Sequence, residues 1–151
     1  MTEITPFLWF DSGAKEAAEL YVSLFEDSHI VSESVANDGT TLVVEFSLSG
    51  RLFRAMNAGP QFPQTEAVSF MITADTQDEI DRYWDALTAN GGEESMCGWL
   101  KDPWGVNWQV TPSFLMDMMK NTDRDKAARV NEAMLRMRKI ILADLEAAAA
   151  G

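Results

Sequence analysis

The stretch from Met96 to Pro112, Met-Cys-Gly-Trp-Leu-Lys-Asp-Pro-Trp-Gly-Val-Asn-Trp-Gln-Val-Thr-Pro, places three tryptophans and a turn signal between two short apolar arms. Pro103 presets φ for an early turn position, and Gly105 supplies conformations that a Cβ would forbid. The arms therefore read as a β-hairpin. Trp99, Trp108 and Val110 suit a pleated, half-buried surface, and Pro112 ends the second arm by removing a ladder donor. Which face of the hairpin Trp99 and Trp108 occupy is left open by the pattern.

The rest of the chain is arranged around this hairpin. Ile4 to Phe10 is β-prone, Asp11-Ser12-Gly13 breaks it, and Ala14, Ala17, Ala18, Tyr21, Leu24 and Phe25 then recur at helical spacing. His29 to Val35 alternates loosely, Asn37-Asp38-Gly39 turns, and Leu42, Val44, Phe46 and Leu48 share one face of a strand. Ser49-Gly50 turns again into Leu52 to Asn57. The order is β-α-β-β-β. After the punctuation of Gly59-Pro60-Gln61-Phe62-Pro63, Ala67 to Thr73 is an apolar strand and Thr76-Gln77-Asp78-Glu79 a capping box. Ile80, Tyr83, Trp84 and Leu87 form the stripe of the helix that follows, Asn90-Gly91-Gly92 stops it, and a short strand precedes the hairpin. The order repeats, with a period of about 60 residues. The expected class is α+β, built from two βαβββ modules at about 1–60 and 64–112 within a domain of residues 1–112.

Beyond Pro112, Ser113 to Lys120 can form a helical turn or two, and Asp123 to Ala149 reads as one long C-terminal helix within a helical extension, 113–151. Val130, Met134, Met137, Ile141 and Leu145 make one apolar stripe. A terminal stripe must be buried somewhere, either on its own domain or on a second subunit.

With 151 residues, 46% of them apolar, the chain suits one ordinary domain with a packed core. The formal net charge of −12 opposes nucleic acid and anionic membrane surfaces as partners. A single cysteine excludes an intramolecular disulfide. The N-terminus lacks a basic n-region with a long apolar run, and no later segment is long enough to span a bilayer, so the expectation is a soluble cytoplasmic protein.

The hairpin from Gly98 to Gln109 resembles the closing hairpin of the vicinal oxygen chelate superfamily, which includes glyoxalase I, extradiol dioxygenases and antibiotic-resistance proteins. Ile4-Thr5-Pro6-Phe7-Leu8-Trp9-Phe10, Ala55-Met56-Asn57-Ala58-Gly59-Pro60, Ala67-Val68-Ser69-Phe70 and Lys126-Ala127-Ala128-Arg129-Val130 are similar to the branch labelled PhnB-like or 3-demethylubiquinone-9 3-methyltransferase-like. The resemblance implies that the two modules pair their sheets into an open half-barrel cleft that binds small molecules. It also implies a homodimer, with the C-terminal helix at its interface.

In metal-dependent members the divalent ion is held by His, Glu or Gln from the first and last strands of each module. The matching positions here are Thr5, Phe53, Ser69 and Gln109. This set lacks carboxylate and imidazole and includes one apolar ring, so no metal site and no cofactor are expected. The expected ligand contacts are Thr5, Trp9, Phe53, Asn57, Ser69, Trp99 and Gln109, an apolar cleft with a few placed polar groups. Cys97 and His29 are each the sole residue of their kind, but nothing brings them together as a nucleophilic pair. The enzyme alternative is a glyoxalase-like, metal-assisted site of non-standard make-up, or a lyase or isomerase with Glu45 as acid-base group, a residue that otherwise reads as a carboxylate on a solvent face. The branch label implies a methyltransferase, yet the chain has no Gly-rich strand-to-helix loop of the nucleotide-binding kind. A third alternative is a purely structural protein whose cleft is filled by its own side chains.

Overall fold

The computed structural model describes residues 1–151 and divides them into two units, Met1–Gln64 and Thr65–Gly151. The second takes in the whole C-terminal tail, which the sequence presents as an extension of its own.

In the first unit, β1 (Phe7–Phe10) leads through Gly13 into α1 (Ala14–Leu24), followed by β2 (His29–Val35), β3 (Thr41–Leu48) and β4 (Arg51–Asn57). The sheet order is β1-β4-β3-β2, with β1 parallel to β4 and the remaining pairs antiparallel. Pairing of Val44 with Ala55 and of Phe46 with Phe53 sets these residues on one face, and α1 packs there. Ala14, Ala17 and Ala18 are fully buried, so the helix lies close to the sheet, and Tyr21 fills the space beside Phe46 at 6.1 Å between ring centroids. Asn57 joins helix to sheet, its Oδ1 accepting from the Ala14 N–H at 2.9 Å and its Nδ2 donating to the Thr41 carbonyl at 3.1 Å. One of the helix's four orphan N–H groups is satisfied in this way.

The second unit repeats the arrangement with β5 (Phe70–Thr73), α2 (Gln77–Thr88), β6 (Glu93–Glu94), β7 (Trp99–Lys101) and β8 (Asn107–Thr111), in the order β5-β8-β7-β6. The first strand again lies parallel to the last. The capping box forms as the sequence predicts: Thr76 accepts from the Glu79 N–H, and the Glu79 carboxylate accepts from the Thr76 N–H. Ile80, Trp84 and Leu87 are buried. Tyr83 instead lies half-buried under the Arg82 guanidinium. In the hairpin turn, the buried Asp102 carboxylate accepts from the N–H groups of Trp104 and Val106 and from Trp108 Nε1, each at 3.0 Å. Trp108 is thereby fixed in the core beside Phe70, on the α2 side. Trp99, opposite Gln109 in the ladder, takes the other face.

The tail is helical, but in three segments: α3 (Ser113–Met119), α4 (Arg124–Leu135) and α5 (Leu142–Ala150). The single long helix predicted over Asp123–Ala149 is interrupted at residues 136–141. There the carbonyls of Met137 and Arg138 accept from the N–H groups of Cys97 and Gly98, both at 2.8 Å. The Gln77 amide grips the far end, donating to the Ile140 carbonyl at 3.1 Å and accepting from the Leu142 N–H at 2.8 Å. Backbone groups that a continuous helix would bond internally are satisfied by another part of the unit. Val130, Ile140 and Leu145 are buried within the chain itself. No helix is long and apolar enough to cross a membrane.

Candidate functional site

Strand alternation divides the predicted contacts between the two faces of each sheet. In unit 1, Phe7, Trp9, Val43, Glu45, Arg54 and Met56 share the face turned away from α1. Trp9 lies there half-buried, its Nε1 donating to the Gly59 carbonyl at 2.8 Å and its ring meeting Phe62 edge-on at 4.9 Å. Thr5 lies just ahead of β1 and is also half-buried. Phe53 and Asn57 are on the opposite face, under α1. Phe53 stacks on Phe46 with centroids 5.6 Å apart, and both polar ends of Asn57 are engaged as described. Of the four, Trp9 therefore lies on the face away from α1, while the register sets the half-buried Phe53 and Asn57 on the face toward it. Glu45 forms an ion pair with Arg54 across the β3–β4 ladder.

In unit 2, Ser69, Trp99 and Gln109 do come together. Ser69 precedes β5, and its hydroxyl accepts from Gln109 Nε2 at 2.8 Å. Gln109 is flanked in the ladders by Met71 on one side and Trp99 on the other. All of these belong to the face away from α2, and that face opens into a cavity of about 530 Å³.

The tail supplies the opposite wall. Leu115, Met116, Met118 and Met119 of α3 reach it, as do Arg124, Ala127, Ala128, Asn131 and Met134 of α4. Val130 lines it as well, and the α4 contributors recur at three- and four-residue spacing along one side of the helix. Cys97, held with a positive φ of 60° next to Gly98, completes the wall. The lining is rich in sulfur, from five methionines and one cysteine, and its polar groups are Gln109, Thr111, Arg124 and Asn131. Its size falls within the range of small-molecule sites, and methionine walls adapt to irregular apolar shapes.

The tail is anchored where it leaves β8. The Asp75 carboxylate accepts from both the N–H and the hydroxyl of Ser113, at 2.9 and 2.6 Å, and these bonds hold its pKa below the ordinary carboxylate value. Lys139 bonds Asp81 at 2.9 Å, which lowers the pKa of the carboxyl and raises that of the amine.

The positions that correspond to superfamily metal ligands do not fit a divalent ion. Thr5 and Ser69 offer hydroxyls, Gln109 a neutral amide committed to Ser69, and Phe53 a stacked ring. No three His, Cys, Asp or Glu side chains gather anywhere in a ligating group. Cys97 and His29 belong to different units.

A family model described as 3-demethylubiquinone-9 3-methyltransferase matches residues 2–111. The chain belongs to this family. A solved PhnB protein from Bacillus cereus, described as a putative member, is 34% identical; the match covers 74% of this chain and 99% of that one, with a TM-score of 0.68. A protein from Pseudomonas aeruginosa is 20% identical over 74% of this chain and 98% of its own, at a TM-score of 0.60. The fosfomycin resistance protein FosX from Listeria monocytogenes is 17% identical over 80% and 98%, at 0.56. These last two share the fold. Comparison with curated proteins gave no match. The family model ends at Thr111, so the α3 and α4 walls of the cavity lie past its end.

The residues that sequence reasoning missed are on the tail. Arg124, Ala127, Ala128, Asn131 and Met134 carry a visible signal, a helical stripe of small, polar and sulfur-bearing side chains. It overlaps the more strongly apolar stripe through Val130, with which it shares Met134.

Proposed function

We propose that this chain is a small-molecule binding protein whose ligand occupies the cavity of unit 2. The observation that carries this reading is a Gln109 amide pinned by Ser69 within a largely apolar, methionine-rich wall. With Nε2 committed to Ser69, the Gln109 carbonyl oxygen is left to accept from a hydroxyl or amine on the ligand, while Trp99 and the methionines cover an apolar body. Pre-positioned polar groups in an apolar cavity orient a ligand at little entropic cost. No metal takes part in the reading, since the donors at the superfamily positions do not suit one.

Methyl transfer is not part of it either. The junctions that lead into α1 and α2 read Asp11-Ser12-Gly13 and Ala74-Asp75-Thr76, and neither is a Gly-rich nucleotide cradle. Catalysis through Glu45 is not favoured by its ion pair with Arg54.

The test is thermal melting against a panel of uncharged and charged apolar probes, for the intact chain and for Ala128→Trp. A ligand that binds only the folded state raises the melting temperature. Probes should stabilise the parent chain, and the indole placed in the cavity should abolish the response. EDTA and added Ni²⁺ should leave the melt unchanged. A rise with Ni²⁺, or a response that survives in Ala128→Trp, would overturn the reading.

A further inference from the structure

The chain carries 24 acidic and 12 basic residues, yet no acidic side chain lines the cavity and one arginine does. A wall drawn at random from this surface would be acidic. Arg124 opens α4 and forms none of the salt bridges in the structure, whereas Arg54, Arg136 and Arg138 each hold a carboxylate. Its acidic neighbour Asp123 is turned to the helix backbone, capping α4 by accepting from the Lys126 N–H at 3.0 Å. The guanidinium fork matches a carboxylate in bidentate geometry, and such charge-assisted pairs exceed neutral hydrogen bonds in strength. Burying an ammonium group against thioethers, with no carboxylate to receive it, is unfavourable.

We infer that the ligand is an amphiphilic carboxylic acid, its carboxylate on Arg124 and its apolar body among Met116, Met118, Met134 and Trp99. This rests on the reading of the cavity as the binding site and adds the chemical class of the occupant. Asn131, about two turns along α4, offers a further N–H group on the same wall as Arg124. The Gln109 carbonyl at the sheet side accepts a hydroxyl where the acid carries one.

Three probes of equal length separate the alternatives: nonanoate, 1-nonanol and nonylammonium, each titrated below its aggregation limit with binding read by calorimetry. Nonanoate should bind at least about tenfold more tightly than nonanol, and nonylammonium least. Arg124→Gln should bring nonanoate down to the affinity of nonanol and leave nonanol unchanged, while Arg124→Lys retains part of the preference. Arg51→Gln, on unit 1, should change nothing. Equal binding of acid and alcohol, or a preference that persists in a folded Arg124→Gln chain, overturns the carboxylate assignment and leaves the cavity as a neutral apolar site. Failure of all three probes overturns the assignment together with the cavity reading.

Discussion

The two units share a topology and differ in what happens to the sheet face that carries no helix of the βαβββ pattern. In unit 1 that face holds Trp9, Met56 and a Glu45–Arg54 ion pair, and no segment of unit 1 follows β4 to make a helical cover. In unit 2 the equivalent face holds Met71, Trp99, Gln109 and Thr111, and α3 and α4 of the tail lie across it, bordering a cavity of about 530 Å³. The same fold unit is therefore used twice with different outcomes. A duplicated architecture fixes where a site can form, and the chain that follows each copy decides whether one does.

That contrast can be attacked at the tail's attachment first. Gly98 has φ +82°, and a Cβ added there would meet the Val110 carbonyl oxygen at 2.7 Å and Ile140 Cγ1 at 3.1 Å. Gly98→Ala should cost about 3–4 kcal/mol, combining left-handed strain with a backbone clash. Gly39→Ala, in a unit 1 turn at φ +84° with open space around it, should cost only about 1 kcal/mol. Denaturant midpoints compare the two. Equal losses would mean that the tail's seam contributes nothing beyond backbone strain.

Ile140→Ala comes next, at about 2–3 kcal/mol, because a fully buried side chain is truncated where the tail meets the unit. Val35→Ala on the exposed β2 of unit 1 should stay within about 0.5 kcal/mol. A smaller effect concerns the site. Ser69→Ala should weaken binding of an apolar probe about three- to tenfold by releasing Gln109, with the melting temperature of the free chain nearly unchanged. Trp9→Phe on unit 1 should leave affinity as it was. A comparable loss there would draw unit 1 into the site.

The smallest effect is expected from acid. Asp75 and Asp81 both have pKa values lowered in the folded chain, the first by Ser113 and the second by Lys139 and Gln77. Folding therefore favours their ionised forms. The stability they contribute is complete above the ordinary value of 3.8 and is lost as pH falls through the lower folded values. Hydrogen exchange of α3 and α5 amides should accelerate in that window before exchange in β3 and β4 does. Asp75→Asn should flatten the response for α3. Uniform acceleration across both units would show that these anchors do not act locally.

Much of the fold was legible in the sequence because its signals are local. Thr76 and Glu79 announce the start of α2, and Asp102-Pro103-Trp104-Gly105 announces the hairpin that forms. The branch resemblance drawn from residues 4–10, 55–60, 67–70 and 126–130 names the family the chain belongs to. What could not be read depends on partners distant in sequence. Trp99 and Trp108 are equally aromatic, and only the bond from Trp108 to Asp102 gives one of them to the core. Phe53 and Asn57 share a face as alternation predicts, but which face receives α1 is set by the sheet's register and by the reach of Asn57 to Ala14. No proline or glycine marks the interruption of the tail helix. It is produced by Cys97 and Gly98, whose N–H groups claim the carbonyls of Met137 and Arg138.

Those two bonds run from main chain to main chain, so they do not depend on which side chains stand at Met137 and Arg138 but are sensitive to their spacing. Conservative point changes there should pass almost unnoticed. Loss or gain of a single residue between Leu135 and Ile140 would move Ile140 out of its socket or rotate α4, and with it the orientation of the entire distal wall. The shape of the cavity would then be retuned more readily by length polymorphism in one short connector than by substitutions in the strands.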